Sequence, residues 1–119
     1  MRENESDKMM VATARVTVLP KSRKEFFQTI TPLAQRISRE KGCLNCGVYE
    51  ESGDENSLVL IEEWAAEGYW NDHRKGDNFA VLFGLLNVVS IPSKIDFKLL
   101  QQVGDNVTIK ADNGEGIKS

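Results

Sequence analysis

The sequence predicts an α+β domain in which four strands and three helices follow one another in the order βαββααβ. Runs that alternate apolar and polar side chains, the fourth only in part, lie at residues 11–19, 44–51, 58–64 and 95–101. Segments with apolar residues at helical spacing separate the first run from the second and the third from the fourth. This order is the split βαβ arrangement of ferredoxin-like domains, whose antiparallel sheet carries its helices on one face.

Length and charge restrict the class of protein. A chain of 119 residues fits one domain, which we place at residues 10–103 between a disordered segment at 1–9 and a polar tail at 104–119. The net charge of −3 argues against nucleic acid as a partner, since a basic face is expected there. The start of the chain lacks the apolar stretch of a secretory signal, and residues 79–91 are too few to span a bilayer. We therefore expect a cytoplasmic protein without membrane contacts.

The first strand and helix have clear boundaries. Residues 11–19 are rich in β-branched side chains, and Pro20 ends the strand. Ser22 and Glu25 have the spacing of a capping box, in which each side chain bonds a free backbone amide of the other. Apolar side chains then recur at helical spacing, namely Phe26, Ile30, Leu33, Ala34 and Ile37. Gly42 suits the left-handed backbone that often follows a helix.

The second and third strands flank the polar turn Gly53-Asp54-Glu55-Asn56 and should form a hairpin. Strand alternation puts four residues of the third strand on one face: Leu58, Leu60, Glu62 and Trp64. If helices cover that face, Glu62 is buried and needs a partner, for which Arg15 and His73 are candidates.

The last helices differ in character. Residues 67–75 predict a short helix on which His73 shares a face with Tyr69 and Trp70. Residues 78–89 are apolar nearly all round, which is typical of a buried helix. A fourth strand follows Pro92.

Cys43 and Cys46 have the spacing of a redox or zinc pair. On a regular strand, residues three apart face opposite sides and lie roughly 10 Å apart, which is too far for a disulfide. Zinc needs two further ligands, and the chain has one histidine and no third cysteine. We interpret both as reduced structural thiols.

The spacing of several residues resembles that of the antibiotic biosynthesis monooxygenase family. The matching positions are Glu40-Lys41-Gly42-Cys43-Leu44, Glu62-Glu63-Trp64, His73 and Phe79, within residues 11–103. The resemblance implies a dimeric α+β barrel, in which a second copy covers the open face of the sheet. It also implies oxidation of a phenol or quinol by dioxygen in an apolar pocket, without a cofactor.

Departures from that family narrow the expectation. Antibiotic-tailoring members have an Asn where this chain has Leu60. Haem-degrading members have Trp, His and Asn where this chain has His73, Phe83 and Ala14, so haem degradation is disfavoured. The remaining resemblance is to the quinol-oxidising branch.

The candidate catalytic residues are His73, the chain's only histidine, and Glu62. The candidate substrate-binding residues are Trp64, Phe79, Phe83, Tyr69 and Arg15. We predict a cavity walled by Trp64, Phe79 and Phe83, with neutral His73 as proton acceptor, and little loss of stability in His73→Ala. The structural alternatives remain open: His73 as a bonded helix-end residue, Glu62 as half of an ion pair, and the aromatic residues as core.

Two other functions compete with the monooxygenase. One is a non-catalytic dimer that binds a small aromatic or signalling metabolite. The other is an enzyme that isomerises or degrades a small phosphorylated sugar, for which Arg15 and Arg74 are the nearby basic groups. Fold alone does not choose among them.

Overall fold

The structure, a computed structural model, describes residues 8–90 and 96–102. The strands are β1 (Met10–Thr17), β2 (Cys43–Glu51), β3 (Asp54–Trp64) and β4 (Asp96–Gln101). The helices are α1 (Arg23–Ser38), α2 (Glu67–His73) and α3 (Asp77–Val89), and a 3₁₀ turn at Pro20–Ser22 precedes α1.

The sheet has the strand order β2-β3-β1-β4, and every neighbouring pair is antiparallel. The predicted α+β, ferredoxin-like fold is therefore confirmed. The helix at residues 67–75 is two residues shorter than predicted, and the third strand begins four residues earlier.

One face of the sheet carries the core. Even-numbered residues of β1 and β3 point toward the helices because side chains alternate along a strand. They pack against the apolar faces of α1 and α3, which contribute Phe26, Ile30, Leu33, Ile37, Leu82, Leu86 and Val89. Each such side chain stabilises the fold by roughly 1.5–3 kcal/mol when fully buried.

A bulge in β2 overturns the predicted placement of the cysteines. Cys43 pairs with Trp64 and Asn45 pairs with Glu63, so Leu44 is an extra residue and is 57% exposed. The extra residue shifts the alternation, and both Cys43 and Cys46 pack against the core. The prediction that they face opposite sides is wrong.

Two predictions about helices are also wrong. Ser22 precedes α1 as its N-cap, yet its side chain makes no capping hydrogen bond. Helix α3 is buried on one side only, because it lies in the outer layer against α1 and the sheet. Val81, Phe83 and Val88 are 45%, 47% and 76% exposed.

Within the predicted domain at residues 10–103, residues 91–95 and 103 lie outside the described residues, as do the disordered segment (except residues 8 and 9) and the polar tail. Met9 is described, and its carbonyl accepts a hydrogen bond from the Gln102 amide at 2.8 Å. In the described part of the chain, no helix has the length and apolar character needed to cross a membrane.

Candidate functional site

The candidate site lies where β3 ends and α2 packs back over it. Gly42, in the connection from α1 to β2, has a positive φ of 83°, and its carbonyl accepts a hydrogen bond from the Ala65 amide at 2.8 Å. This contact holds the end of α1, with Glu40, beside the end of β3, with Trp64. Residues distant in sequence therefore meet at one point.

Glu62 is buried at this point, with 1% of its surface exposed. One carboxylate oxygen, Oε1, accepts a hydrogen bond from Trp64 Nε1 at 3.0 Å. The same oxygen lies 3.2 Å from His73 Nε2. The predicted burial of Glu62 and its pairing with a cationic or N–H partner are confirmed, and of its two candidate partners His73 is correct.

His73 lies between two carboxylates. Its Nδ1 is 3.0 and 3.1 Å from the two oxygens of Glu40, while Nε2 faces Glu62. The Nε2 contact is short, but its direction does not suit a hydrogen bond, so we describe it as an ion pair. Only 1% of His73 is exposed, so the expectation that His73→Ala costs little stability, which assumed a side chain on the helix surface, loses its basis.

The charge of His73 follows from these neighbours. Burial alone lowers the pKa of the imidazole, but contact with Glu62 and then with Glu40 outweighs it and raises the pKa above its usual value. The two carboxylates therefore favour the imidazolium form of His73 more than water does.

A second layer of polar groups holds Glu40 in place. Asn78, in the first turn of α3, donates from Nδ2 to Glu40 Oε2 at 2.8 Å. Arg36 Nε in turn donates to Asn78 Oδ1 at 3.4 Å. The chain of contacts runs from the surface of α1 through Glu40 to the buried His73.

Aromatic rings surround the imidazole. The ring centroids of Trp64, Trp70 and Phe79 lie 4.7, 5.6 and 5.5 Å from that of His73. Trp70 and Phe79 meet each other edge to face at 5.9 Å. His73 thus has apolar walls on the sides that its carboxylates leave open.

An open cleft of about 530 Å³ lies on the other side of Trp70 and Phe79. Met10 and Leu99 complete its apolar lining, and Glu67, Asn71 and Arg74 give it polar groups. Of the residues predicted to wall a cavity, only Phe79 lines this cleft. Trp64 is 0% exposed and belongs to the core, and His73 lies behind the cleft wall.

Metal and thiol chemistry have little support at this site. The carboxylates of Glu40 and Glu62 lie at opposite nitrogens of one ring, so they cannot converge on one ion. Among residues 8–90 and 96–102, no group of three ligand side chains is placed for a metal. Cys43 and Cys46 are free, and burial raises their pKa values to about 11 and about 12, which keeps both thiols protonated.

Comparison with known proteins identifies the family. Residues 9–83, more than half of the chain, match the model described as Antibiotic biosynthesis monooxygenase. The chain belongs to the antibiotic biosynthesis monooxygenase family.

One relative of known sequence and two solved structures resemble this chain. A Bacillus subtilis (strain 168) protein named "Putative monooxygenase YcnE" is 31% identical over 71 residues, which cover 60% of this chain and 75% of that protein. A conserved protein from Methanosarcina mazei Go1 has 26% identity and a TM-score of 0.74, covering 83% of this chain and 97% of its own. A structure named as a "putative antibiotic biosynthesis monooxygenase" from Deinococcus radiodurans has a TM-score of 0.76 at 16% identity, over 86% and 99% of the two chains, and shows the fold alone.

The remaining predicted site residues of this family member lie apart from the buried cluster. Arg15 is on the opposite face of the sheet and pairs with Glu51, so it cannot be the partner of Glu62. Tyr69 packs over Gly42. Phe83 is exposed, and its ring stacks on that of Phe79 with the two centroids 6.0 Å apart.

Sequence reasoning missed Glu40 and Asn78 as site residues. Glu40 opens the Glu-x-Gly-Cys-Leu motif that the family shares, so its position was visible but its role was not. Asn78 carries no sequence signal that we can identify.

Proposed function

We propose that this protein is a monooxygenase that oxidises a small phenolic or quinol substrate with dioxygen. Its family and the name of its Bacillus subtilis relative support monooxygenase chemistry. The observation that carries the substrate class is a buried imidazole, held by two carboxylates, directly behind the aromatic wall of an open cleft. A phenol needs an apolar surface for its ring and an acceptor for its proton, and this arrangement supplies both.

Such a reaction balances without a further reductant. A quinol and dioxygen give a hydroxyquinone and one water. One oxygen atom forms the new carbon–oxygen bond, and the other leaves as water with two hydrogens from the substrate. All four electrons that dioxygen takes up come from the quinol, so the protein contributes orientation, exclusion of water and proton transfer.

His73 and Glu62 are the proposed proton-transfer pair. The neutral imidazole is the form that accepts a proton, and it becomes more populated as pH rises through the pKa of His73. Because this pKa is raised, the change occurs at higher pH than for a free histidine. Glu62, in contact with Nε2, stabilises the imidazolium that results from proton transfer. A positioned general base of this kind contributes typically about 10² to 10⁴ in rate.

Access to His73 requires a side chain to move. Trp70 is 6% exposed and packed in the core, whereas Phe79 is only partly buried and stacks on the exposed Phe83. We propose that Phe79 turns aside when a substrate enters, which brings the substrate hydroxyl to the imidazole. Trp64, Phe79 and Phe83 then act as the apolar surroundings of the ring.

We expect oxygen uptake with quinols to increase with pH through the folded pKa of His73. Glu40→Gln removes one of the charges that raise this pKa, so it should shift the rising limb of kcat/KM toward lower pH. The rise of kcat/KM with pH is measured with an oxygen electrode and a panel of quinols. The pKa itself can be followed by proton NMR, because the chain has a single histidine.

The matched control is Glu25→Gln, the same chemical change at an exposed position of α1. It should leave both the NMR pKa and the activity limb unchanged. If Glu40→Gln moves the NMR pKa and the activity limb stays in place, His73 is not the proton acceptor. A wild type that takes up no oxygen with any quinol contradicts the monooxygenase proposal itself.

A binding protein without catalysis is the second candidate. The observation that favours it is the closure of His73 from solvent, since a buried ion-paired histidine can serve stability alone. The sugar-phosphate alternative loses support, because Arg15 lies on the other face of the sheet and leaves Arg74 as the cleft's basic group among the described residues.

We also propose a homodimer in which the open faces of two sheets meet. That face has apolar side chains at Val11, Val59 and Ile61, and Tyr49 and Leu100 there are 49% and 58% exposed. Covering them removes apolar surface from water. Sedimentation velocity at micromolar concentration should give the mass of a dimer, and a stable monomer would contradict the proposal.

A further inference from the structure

The cleft in front of His73 has different charges at its two ends. Helix α2 begins with Glu67, and Arg74 follows its last residue, so these side chains lie seven positions apart. Seven residues correspond to about 10 Å along a helix and to nearly two full turns. Both residues therefore lie on the cleft side of α2, an acid at one end and a base at the other.

Arg74 is oriented but its charge is not neutralised. Its Nε donates to Asn71 Oδ1 at 3.2 Å, which fixes the plane of the guanidinium. Within residues 8–90 and 96–102, its terminal nitrogens have no carboxylate partner, and Glu67 has no cationic partner. The fork of a guanidinium is suited to bind a carboxylate through two parallel hydrogen bonds.

The floor between these ends is apolar. Trp70 and Phe79 meet at a right angle on one side, while Met10 of β1 and Leu99 of β4 form the other. Leu99 is 50% exposed, so the described chain leaves it open to a ligand. The volume of about 530 Å³ lies within the 300–1,000 Å³ that is usual for small-molecule sites.

We propose that this cleft selects a hydroxylated aromatic acid. The ring system lies on Trp70 and Leu99, its carboxylate pairs with Arg74, and a second hydroxyl, distinct from the one that reaches His73, donates to Glu67. Two fused rings with substituents at opposite ends match the separation of the two charged groups. This inference deepens the proposed function, because it gives the substrate of the same cleft a fixed anionic group.

A naphthalene probe tests the inference by binding alone. Isothermal titration calorimetry compares 6-hydroxy-2-naphthoate with its methyl ester, which has the same rings and hydroxyl but no charge. We expect the wild type to bind the acid about 10-fold more tightly than the ester, as a charged hydrogen-bond pair allows. Arg74→Gln should remove this preference and leave ester affinity within about twofold.

Lys75→Gln is the matched control, since it removes the same charge from the neighbouring exposed residue that does not line the cleft. It should keep the preference for the acid. A third probe, 2-naphthoate, lacks the hydroxyl and should bind more weakly than 6-hydroxy-2-naphthoate in the wild type but not in Glu67→Leu. Melting curves confirm that the variants fold.

The outcomes separate this inference from the proposed function. Failure of the wild type to bind either probe, or to prefer the acid, overturns the inference. Equal losses in Arg74→Gln and Lys75→Gln overturn it too, because bulk charge then explains the preference. Selective binding without oxygen uptake supports the cleft and contradicts the monooxygenase. The opposite outcome is oxygen uptake with neutral quinols that Arg74→Gln does not affect, together with no preference for the acid. It supports the monooxygenase and contradicts the inference about the cleft.

Discussion

Replacing His73 with alanine should lower the free energy of unfolding by about 3 kcal/mol, because breaking a buried ion pair leaves a charge without compensation. Glu62 is 1% exposed and would keep only the hydrogen bond from Trp64. The imidazole also fills space beside the Trp64 ring, so its loss leaves a cavity as well. Urea denaturation at pH 6 measures the change.

The loss of stability in His73→Ala should depend on pH. Because the folded pKa of His73 is raised, its contribution to stability is fully present below the unfolded pKa of about 6.5 and is lost as pH rises through the folded pKa. The deficit of His73→Ala relative to wild type should therefore shrink as pH increases. Asp72→Ala, at an exposed position of the same helix, should stay within about 0.5 kcal/mol at every pH. A deficit that does not depend on pH would mean that the ion pairs contribute nothing.

The expectation of a harmless His73→Ala shows where sequence reasoning is limited. Periodicity indicated a helix at residues 67–75, but the side of that helix that meets the sheet depends on tertiary packing. The partner of Nδ1, Glu40, is 33 residues away in sequence. No local pattern reports such a contact.

Strand alternation was more informative, because a period of two leaves only two choices of face. Leu58, Leu60 and Trp64 fixed the choice for β3, and Glu62 then had to lie beneath the helices. A buried carboxylate in turn required an N–H partner. The burial of Glu62 could thus be predicted from the sequence, whereas the choice between Arg15 and His73 as its partner needed the structure.

The same rule failed in β2. The bulge between Cys43 and Asn45 adds one residue and reverses the faces that follow it. Gly42 and Gly47 flank the bulge but do not fix its position, so regular alternation was the natural assumption. Its consequence, two cysteines packed on the same core, could be found only from the register with β3.

The connection from α1 to β2 is the backbone feature on which the site depends. Gly42 has a φ of 83°, and its carbonyl accepts the Ala65 amide. A Cβ added to Gly42 would lie 2.0 Å from Cγ of Tyr69, a ring carbon next to the backbone that cannot move away easily. Two separate constraints, backbone conformation and space, therefore require glycine here.

Gly42→Ala should accordingly destabilise the protein by about 2–5 kcal/mol. The left-handed backbone costs an alanine roughly 1–2 kcal/mol, and the clash with Tyr69 adds about 1–3 kcal/mol. Gly53 distinguishes the backbone cost from the cost of the clash, because it has a φ of 90° and nothing lies within 4 Å of an added Cβ. Gly53→Ala should therefore show the backbone cost alone in urea denaturation.

In a double-mutant cycle, Tyr69→Ala should recover at least about 1 kcal/mol of the Gly42→Ala loss, since it removes the clashing ring. Equal losses at Gly42 and Gly53, with no coupling to Tyr69, would show that the contact between the α1–β2 connection and α2 is not a constraint on the site.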